Sequence, residues 1–506
     1  MKLARAGQTG LVSRRLAGRH DPVALHAALA ASGAAPLLFR RTGGRALILV
    51  ESALRLEANG LDATLKANSE GGSLLLEQLA GQFAAHRIER DDGLHLRFAA
   101  NDHPDESIRS AAATPLDVLR ALALGFAPLD PDEPFARVAM GIVGFDHVDM
   151  VEDLTARPPG DFPDLQFDLA ETLVVIEPTG SARVLAMSAG SDDRDAGHRQ
   201  HHLAAERLAR LVARCTASPA PRASEAPVAT EAESDLDDVH FAKAVEVMKA
   251  HIAAGDIFQA VPSRLFKAPC TDPLGAFERL VAADPSAYQF AFDTGHGHLI
   301  GASPETALEL RRVGDALTVA VSPIAGTRPR GSDPDEDDRN EADLRLDTKE
   351  VAEHLMLVDL ARNDIARVCA RGTRRVSKML GVERFARVMH LVSTVEGELA
   401  EGRDAIDAIR SCLNVGTLSG APKLKAIELI RSVEPSPRGP YGGAIGWIAG
   451  DGSMDSAVVI RSALVRDGIA EVRAGAGVVQ DSDPLAEAAE TRAKASAVLA
   501  ALGAAA

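Results

Sequence analysis

The sequence predicts an α+β protein in which large antiparallel β-sheets are flanked by helices. Two observations carry this. Residues 442–479 hold three apolar runs, GAIGWIA, SAVVIRSALV and AEVRAGAGVV, parted by the turn pairs Asp451-Gly452 and Asp467-Gly468, which reads as a three-stranded antiparallel meander. Upstream, Phe241, Val245, Met248 and Ile252 recur at helical spacing, and Gly255 follows as a C-terminal cap.

The elements follow in order. Asp21-Pro22 places an N-cap before a proline at the first helical position, so a helix should run to about Ala31. Residues 45–58 read as strand, turn and strand, and 140–178 as further sheet. Residues 216–236 are rich in Ser, Pro, Ala, Thr and Glu and poor in large apolar side chains, which fits an exposed linker or a surface loop. Residues 257–266 read as a strand with Gln259, Val261 and Ser263 on one face. A helix should start near Ala421, and another should run from Pro484 to about Ala501. With 506 residues the chain is too long for one ordinary core. The expected division is an N-terminal region 1–215, a flexible linker 216–236 and a catalytic region 237–506.

The net charge of −17, from 72 acidic and 55 basic residues, argues against a nucleic-acid partner. Cys215, Cys270, Cys369 and Cys412 are scattered, without disulfide or metal-ligand spacing, which fits a reducing compartment. No stretch has the ~20 apolar residues that span a bilayer, so a cytoplasmic protein is expected.

Chemistry concentrates in the C-terminal half. Glu350 and Glu353 lie three apart in one helical segment, as do Glu487 and Glu490 in another, and each pair shares a helix face. Four such carboxylates could hold Mg²⁺, although an isolated pair is more often a solvated helix face. PIAGTRPRG (323–331), GTLSGAPK (416–423) and RAGAGVV (473–479) combine Gly, Pro and basic residues. In the second, Lys423 and the N–H groups of the following helix could bind an anion. In the third, Gly475 and Gly477 mark close approach to a strand.

The ordered motifs GDIFQAVPSR, GASPE, PIAGTRPRG, EHLMLVDLARND, MHLVS, GTLSGAPK, YGGAIG, VVIRSAL, AGAGVV and ETRAK resemble the chorismate-utilising enzymes, most of all the large subunits of anthranilate synthase. The resemblance is dense from about Asp238 to Leu502 and thinner before the linker. It implies an Mg²⁺-dependent lyase that converts chorismate and ammonia to anthranilate and pyruvate. Glu305 of GASPE would protonate the departing ring hydroxyl. Glu353 and Glu490 would hold Mg²⁺, with Glu350 and Glu487 acting directly or through water. Tyr441, Arg461, Gly475, Ala476 and Gly477 would bind the enolpyruvyl carboxylate, and Gly326 and Thr327 the ring end. His390 would assist pyruvate elimination. Gln259 stands where water-using members carry a lysine base, and Ala325 where aminodeoxychorismate synthases carry a lysine, so both imply amination to anthranilate. No cysteine lies in a G-x-C-x-G elbow, so ammonia is expected from a separate glutaminase subunit.

The chain departs from the family pattern at its tryptophan site. Arg40 and Arg41 replace the Glu and Ser of LLES, and Ala287-Tyr288-Gln289 replaces P-Y-M, which implies weak or absent tryptophan inhibition and suits secondary metabolism. Two other readings are an aminodeoxyisochorismate synthase that stops before pyruvate loss, and a catalytically silent chorismate or aromatic amino acid sensor.

Overall fold

The computed structural model describes residues 3–505 except 102, 104, 156, 218–228 and 385–387. It is an α+β fold in which, among the described residues, 23 strands form one hydrogen-bonded network. Strand Leu165–Ile176 is the hub, pairing antiparallel with Val138–Val143, Ala46–Asn59 and Ala182–Ala189. One arm runs from Val138–Val143 to Ala444–Ala449, Met454–Val458 and Thr306–Val313. The other runs from Ala46–Asn59 through Leu37–Arg41, Tyr288–Asp293 and His298–Ser303 to Ser462–Arg466, Ile469–Gly475 and Ser263–Pro269. Phe39, Leu47, Met140, Ile142, Phe290 and Ile445 belong to one buried apolar cluster that draws on strands of both arms. Strands from before and after residues 216–236 therefore share sheets as well as a core.

Most local expectations hold. Asp21 caps helix Pro22–Ala31 by accepting from the N–H groups of Val23 and Ala24. Asp237 caps helix Asp238–Ala254, which Gly255 ends at φ 83°. Asp483 caps helix Pro484–Leu502.

Four expectations change. Residues 46–59 form one strand, and the register shifts between Leu49 and Leu54 mark a bulge where a turn was expected. Residues 257–266 break into Gln259–Ala260 and Ser263–Pro269, because Pro262 has no N–H to continue a ladder. The meander is two hairpins. The run SAVVIRSALV divides into Met454–Val458 and Ser462–Arg466, which pair with different partners on either side of Arg461, at φ 50°. The helix expected near Ala421 starts at Lys423, because Gly420–Ala421 pairs with Gln259–Ala260. Within 216–236, residues 218–228 lie outside the described residues. Beyond them Thr230–Glu231 pairs with Ala504–Ala505 and Glu233–Ser234 with Lys267 and Phe266.

Candidate active site

Glu305 lies between strands His298–Ser303 and Thr306–Val313, with its side chain buried. Its carbonyl accepts from the Val458 N–H at 3.0 Å, which fixes the backbone to the neighbouring strand. Thr417 Oγ1 donates to Glu305 Oε1 at 2.6 Å. Burial pushes the carboxyl up to about 7, against the opposing effects of the Thr417 hydrogen bond and the Lys494 charge. Such a group carries a proton that it can donate near neutral pH.

Helices Thr348–Ala366 and Pro484–Leu502 present the four glutamates. Burial pushes Glu353 up to about 7; Lys349 opposes this, while the charges of Glu350, Glu487 and Glu490 add to it. The two pairs therefore face one space. Glu353 Oε1 and Glu487 Oε2 are buried without hydrogen-bond partners, and Lys349 Nζ stands 3.8 Å from the former. Glu490 pairs with Lys494 at 2.7 Å, and Glu350 lies 3.5 Å from Arg328. Among the described residues no three His, Cys, Asp or Glu close on a common metal position. The cluster is nonetheless all-oxygen and over-supplied with negative charge. Its two partnerless carboxylate oxygens fit a hard divalent cation.

A cationic and apolar surface forms the other end. Arg461 is held at positive φ between its two strands, a conformation that non-glycine residues adopt chiefly where the surrounding structure enforces it. Burial lowers its pKa, and among the described residues it has no carboxylate within 4 Å. Its guanidinium fork has the geometry that pairs with a planar carboxylate. Tyr441 is buried, and a side chain at Gly475 would come within 3.0 Å of its hydroxyl and 2.8 Å of the Pro262 carbonyl. Lys494 Nζ donates to the Gly475 carbonyl at 3.0 Å, joining this strand to Glu490. A Cβ at Gly477 would lie 3.1 Å from Gln259 Nε2. Gln259 Oε1 is buried without a partner, so it can accept an N–H. Ala476 is fully buried in an apolar cluster, so only its backbone can serve a ligand.

On the opposite strands, His390 Nδ1 lies 3.1 Å from the Gly326 carbonyl and 3.0 Å from Thr327 Oγ1. A carbonyl only accepts, so Nδ1 carries the hydrogen and Nε2 the basic lone pair. Burial lowers this imidazole to about 4, opposed by the Gly326 bond and reinforced by Arg461 and Lys494. It is neutral at physiological pH.

Sequence reasoning missed Thr417 and Lys494, although both lie inside quoted motifs. It also offered Lys423 to an anion, and the structure corrects this. Lys423 Nζ is 2.9 Å from Asp364 Oδ2, and its charge is already compensated.

The residues at the altered tryptophan motifs come together. Arg41 pairs in register with Tyr288 and Arg40 with Gln289, and Ala287 O accepts from the Thr42 N–H at 2.8 Å. Arg40 donates to Gln289 Oε1 at 3.1 Å. Arg41 reaches Glu309 at 2.9 Å and Asp455 at 3.5 Å and lies over the Tyr288 ring.

One family model matches the sequence over residues 76–500. The chain belongs to the chorismate binding enzymes. Among curated proteins it is 46% identical over 481 residues to anthranilate synthase component 1, pyocyanine specific, from Pseudomonas aeruginosa, covering 91% of this chain and 87% of the relative. It is 40% identical over 504 residues to anthranilate synthase component 1 from Escherichia coli, covering 96% and 95%. Among solved structures, anthranilate synthase component I from Streptococcus pneumoniae superposes with TM-score 0.71 at 29% identity, covering 90% of this chain and 92% of that one.

Proposed function

We propose that this chain is the chorismate-converting component of an anthranilate synthase. The observation that carries the reading is the buried, hydrogen-bonded Glu305 carboxyl, pushed up to about 7. The ammonia nitrogen attacks the ring carbon beside the carboxylate, the ring double bonds shift, and the distant C–O bond breaks. Glu305 gives its proton to the departing oxygen, which leaves as water. Gln259 accepts an N–H of the nucleophile, and its neutral amide cannot deprotonate water. Arg461 and the backbone at Gly475, Ala476 and Gly477, beside Tyr441, hold the enolpyruvyl carboxylate, while Gly326 and Thr327 meet the ring end. His390, neutral with its lone pair at Nε2, takes the ring proton as pyruvate leaves and the ring becomes aromatic. Glu353 and Glu490, with Glu350 and Glu487, would hold Mg²⁺, which when bound supplies Lewis-acid polarisation and orientation of the ring carboxylate.

Ammonia comes from a separate glutaminase. Burial pushes the thiols of Cys215, Cys270 and Cys412 up, the reverse of an activated nucleophile. Among the described residues no helix is long and apolar enough to cross a membrane. The test is incubation of the purified chain with chorismate, Mg²⁺ and an ammonium salt, following anthranilate fluorescence and pyruvate. Both products are expected, and glutamine alone should give neither. A new amine without pyruvate would favour an aminodeoxyisochorismate synthase. No chorismate consumption would favour a silent sensor.

A second reading concerns control. Arg40 and Arg41 occupy their strand junction with partners of their own, and an indole amino acid would have to displace the half-buried Arg41 ion pairs and the Arg40–Gln289 hydrogen bond to enter it. Activity should therefore be unchanged at micromolar tryptophan, as suits a route that consumes anthranilate for another product. A tryptophan titration that halves the rate at micromolar concentration overturns this.

A further inference from the structure

An acid buried as deeply as Glu305 must regain its proton after each turnover, and the structure offers a second way in. A cavity of about 20 Å³, enough for one water, lies against Glu305. Its polar lining comprises Glu305, Thr306, Thr417, Ser322 and Asp364, and its other walls include Ala361 and Cys412. None of Gly326, Thr327, His390, Tyr441, Arg461 or the helix glutamates lines it, so it meets the proposed substrate site only at Glu305 and Thr417. At the far end Asp364 is buried and takes a 2.9 Å hydrogen bond from Lys423, whose side chain is 13% exposed. Nothing in the proposed reaction uses this pair.

We infer that the cavity holds a water that connects Glu305 to the Asp364–Lys423 pair and returns a proton to Glu305 after each turnover. This rests on the reading of Glu305 as the acid. One proton moves along the path. A water O–H breaks as the Glu305 O–H forms, Asp364 restores the water, and Lys423 restores Asp364 and is reprotonated from solvent. No electrons are exchanged. The balance closes because the new ring amine releases one proton to solvent per turnover. Burial also raises the Asp364 carboxyl, against the opposing charge of Lys423.

The test uses the full chain with Asp364→Asn, which removes the proton-carrying oxygen, and Ala361→Leu, which fills the cavity and leaves the ion pair intact. The readouts are kcat, KM for chorismate and the solvent deuterium isotope effect on kcat, measured with Mg²⁺ and ammonium. In both variants kcat should fall at least about tenfold and the isotope effect should rise, with KM within about twofold of the unmodified chain. If Asp364→Asn does not fold, Ala361→Leu decides. Unchanged kcat in Ala361→Leu, or a loss with no change in isotope effect, overturns the path. If the unmodified chain makes no anthranilate, the reading of Glu305 falls first and the path falls with it.

Discussion

Glu305, the proposed acid, owes its raised carboxyl to where it sits. The residue type was visible in GASPE, but the desolvation that raises its carboxyl to about 7 comes from strands that meet only in the fold. The same holds for Thr417, 112 positions away, which orients it. A carboxyl raised in this way is protonated below about 7 and ionised above it, so kcat should fall on the alkaline side as the donor is lost. A pH–rate profile measures this, and a rate that climbs steadily through pH 8 would contradict the assignment. Glu305→Gln keeps the shape but has no acidic proton, and should lower kcat by roughly 10²–10⁴-fold while chorismate still binds. His390 was legible as a motif, but its tautomer depends on the Gly326 carbonyl that strand pairing brings to it.

At the scale of elements, caps and turns were legible because they are local: Asp21, Gly255 and the pair Asp467-Gly468 each act within a few residues. The bulge near Glu51 and the break at Arg461 were not, because each is imposed by the register of partner strands. Helix Thr348–Ala366 shows what a cap does for the site. Asp347 accepts from the N–H groups of Lys349 and Glu350 and also holds Arg328 at 2.7 Å. Asp347→Ala should reduce stability by about 1 kcal/mol. It should also raise the Mg²⁺ concentration needed for half-maximal activity, because the turn carrying Glu350 and Glu353 loosens. Thermal melts and an Mg²⁺ titration read the two effects separately. A variant with unchanged Mg²⁺ dependence would show that the cap does not position the glutamates.

At the scale of the molecule, the composition shift at 216–236 suggested a divisible chain, and strands on its two sides nevertheless share ladders. Ala444–Ala449 pairs with Val138–Val143, and Tyr288–Ala291 with Leu38–Arg41. A fragment of residues 237–506 should therefore expose two apolar strand edges and aggregate, even though it holds every proposed catalytic residue. Size-exclusion chromatography of that fragment checks this; a monodisperse fragment that forms anthranilate would show that the two regions fold separately.

The sequence by itself determined the α+β class, the helix caps, the residue types of the site and, through its ordered motifs, the family. These are short-range or compositional properties, readable wherever the residues stand. The tertiary structure decided which carboxyl keeps its proton, which lysine is already paired, how the glutamates of two helices come to face one another and how the two halves interlock. Each of these depends on burial or pairing between segments far apart in the chain, and desolvation and Coulomb energies exist only once those segments are brought together.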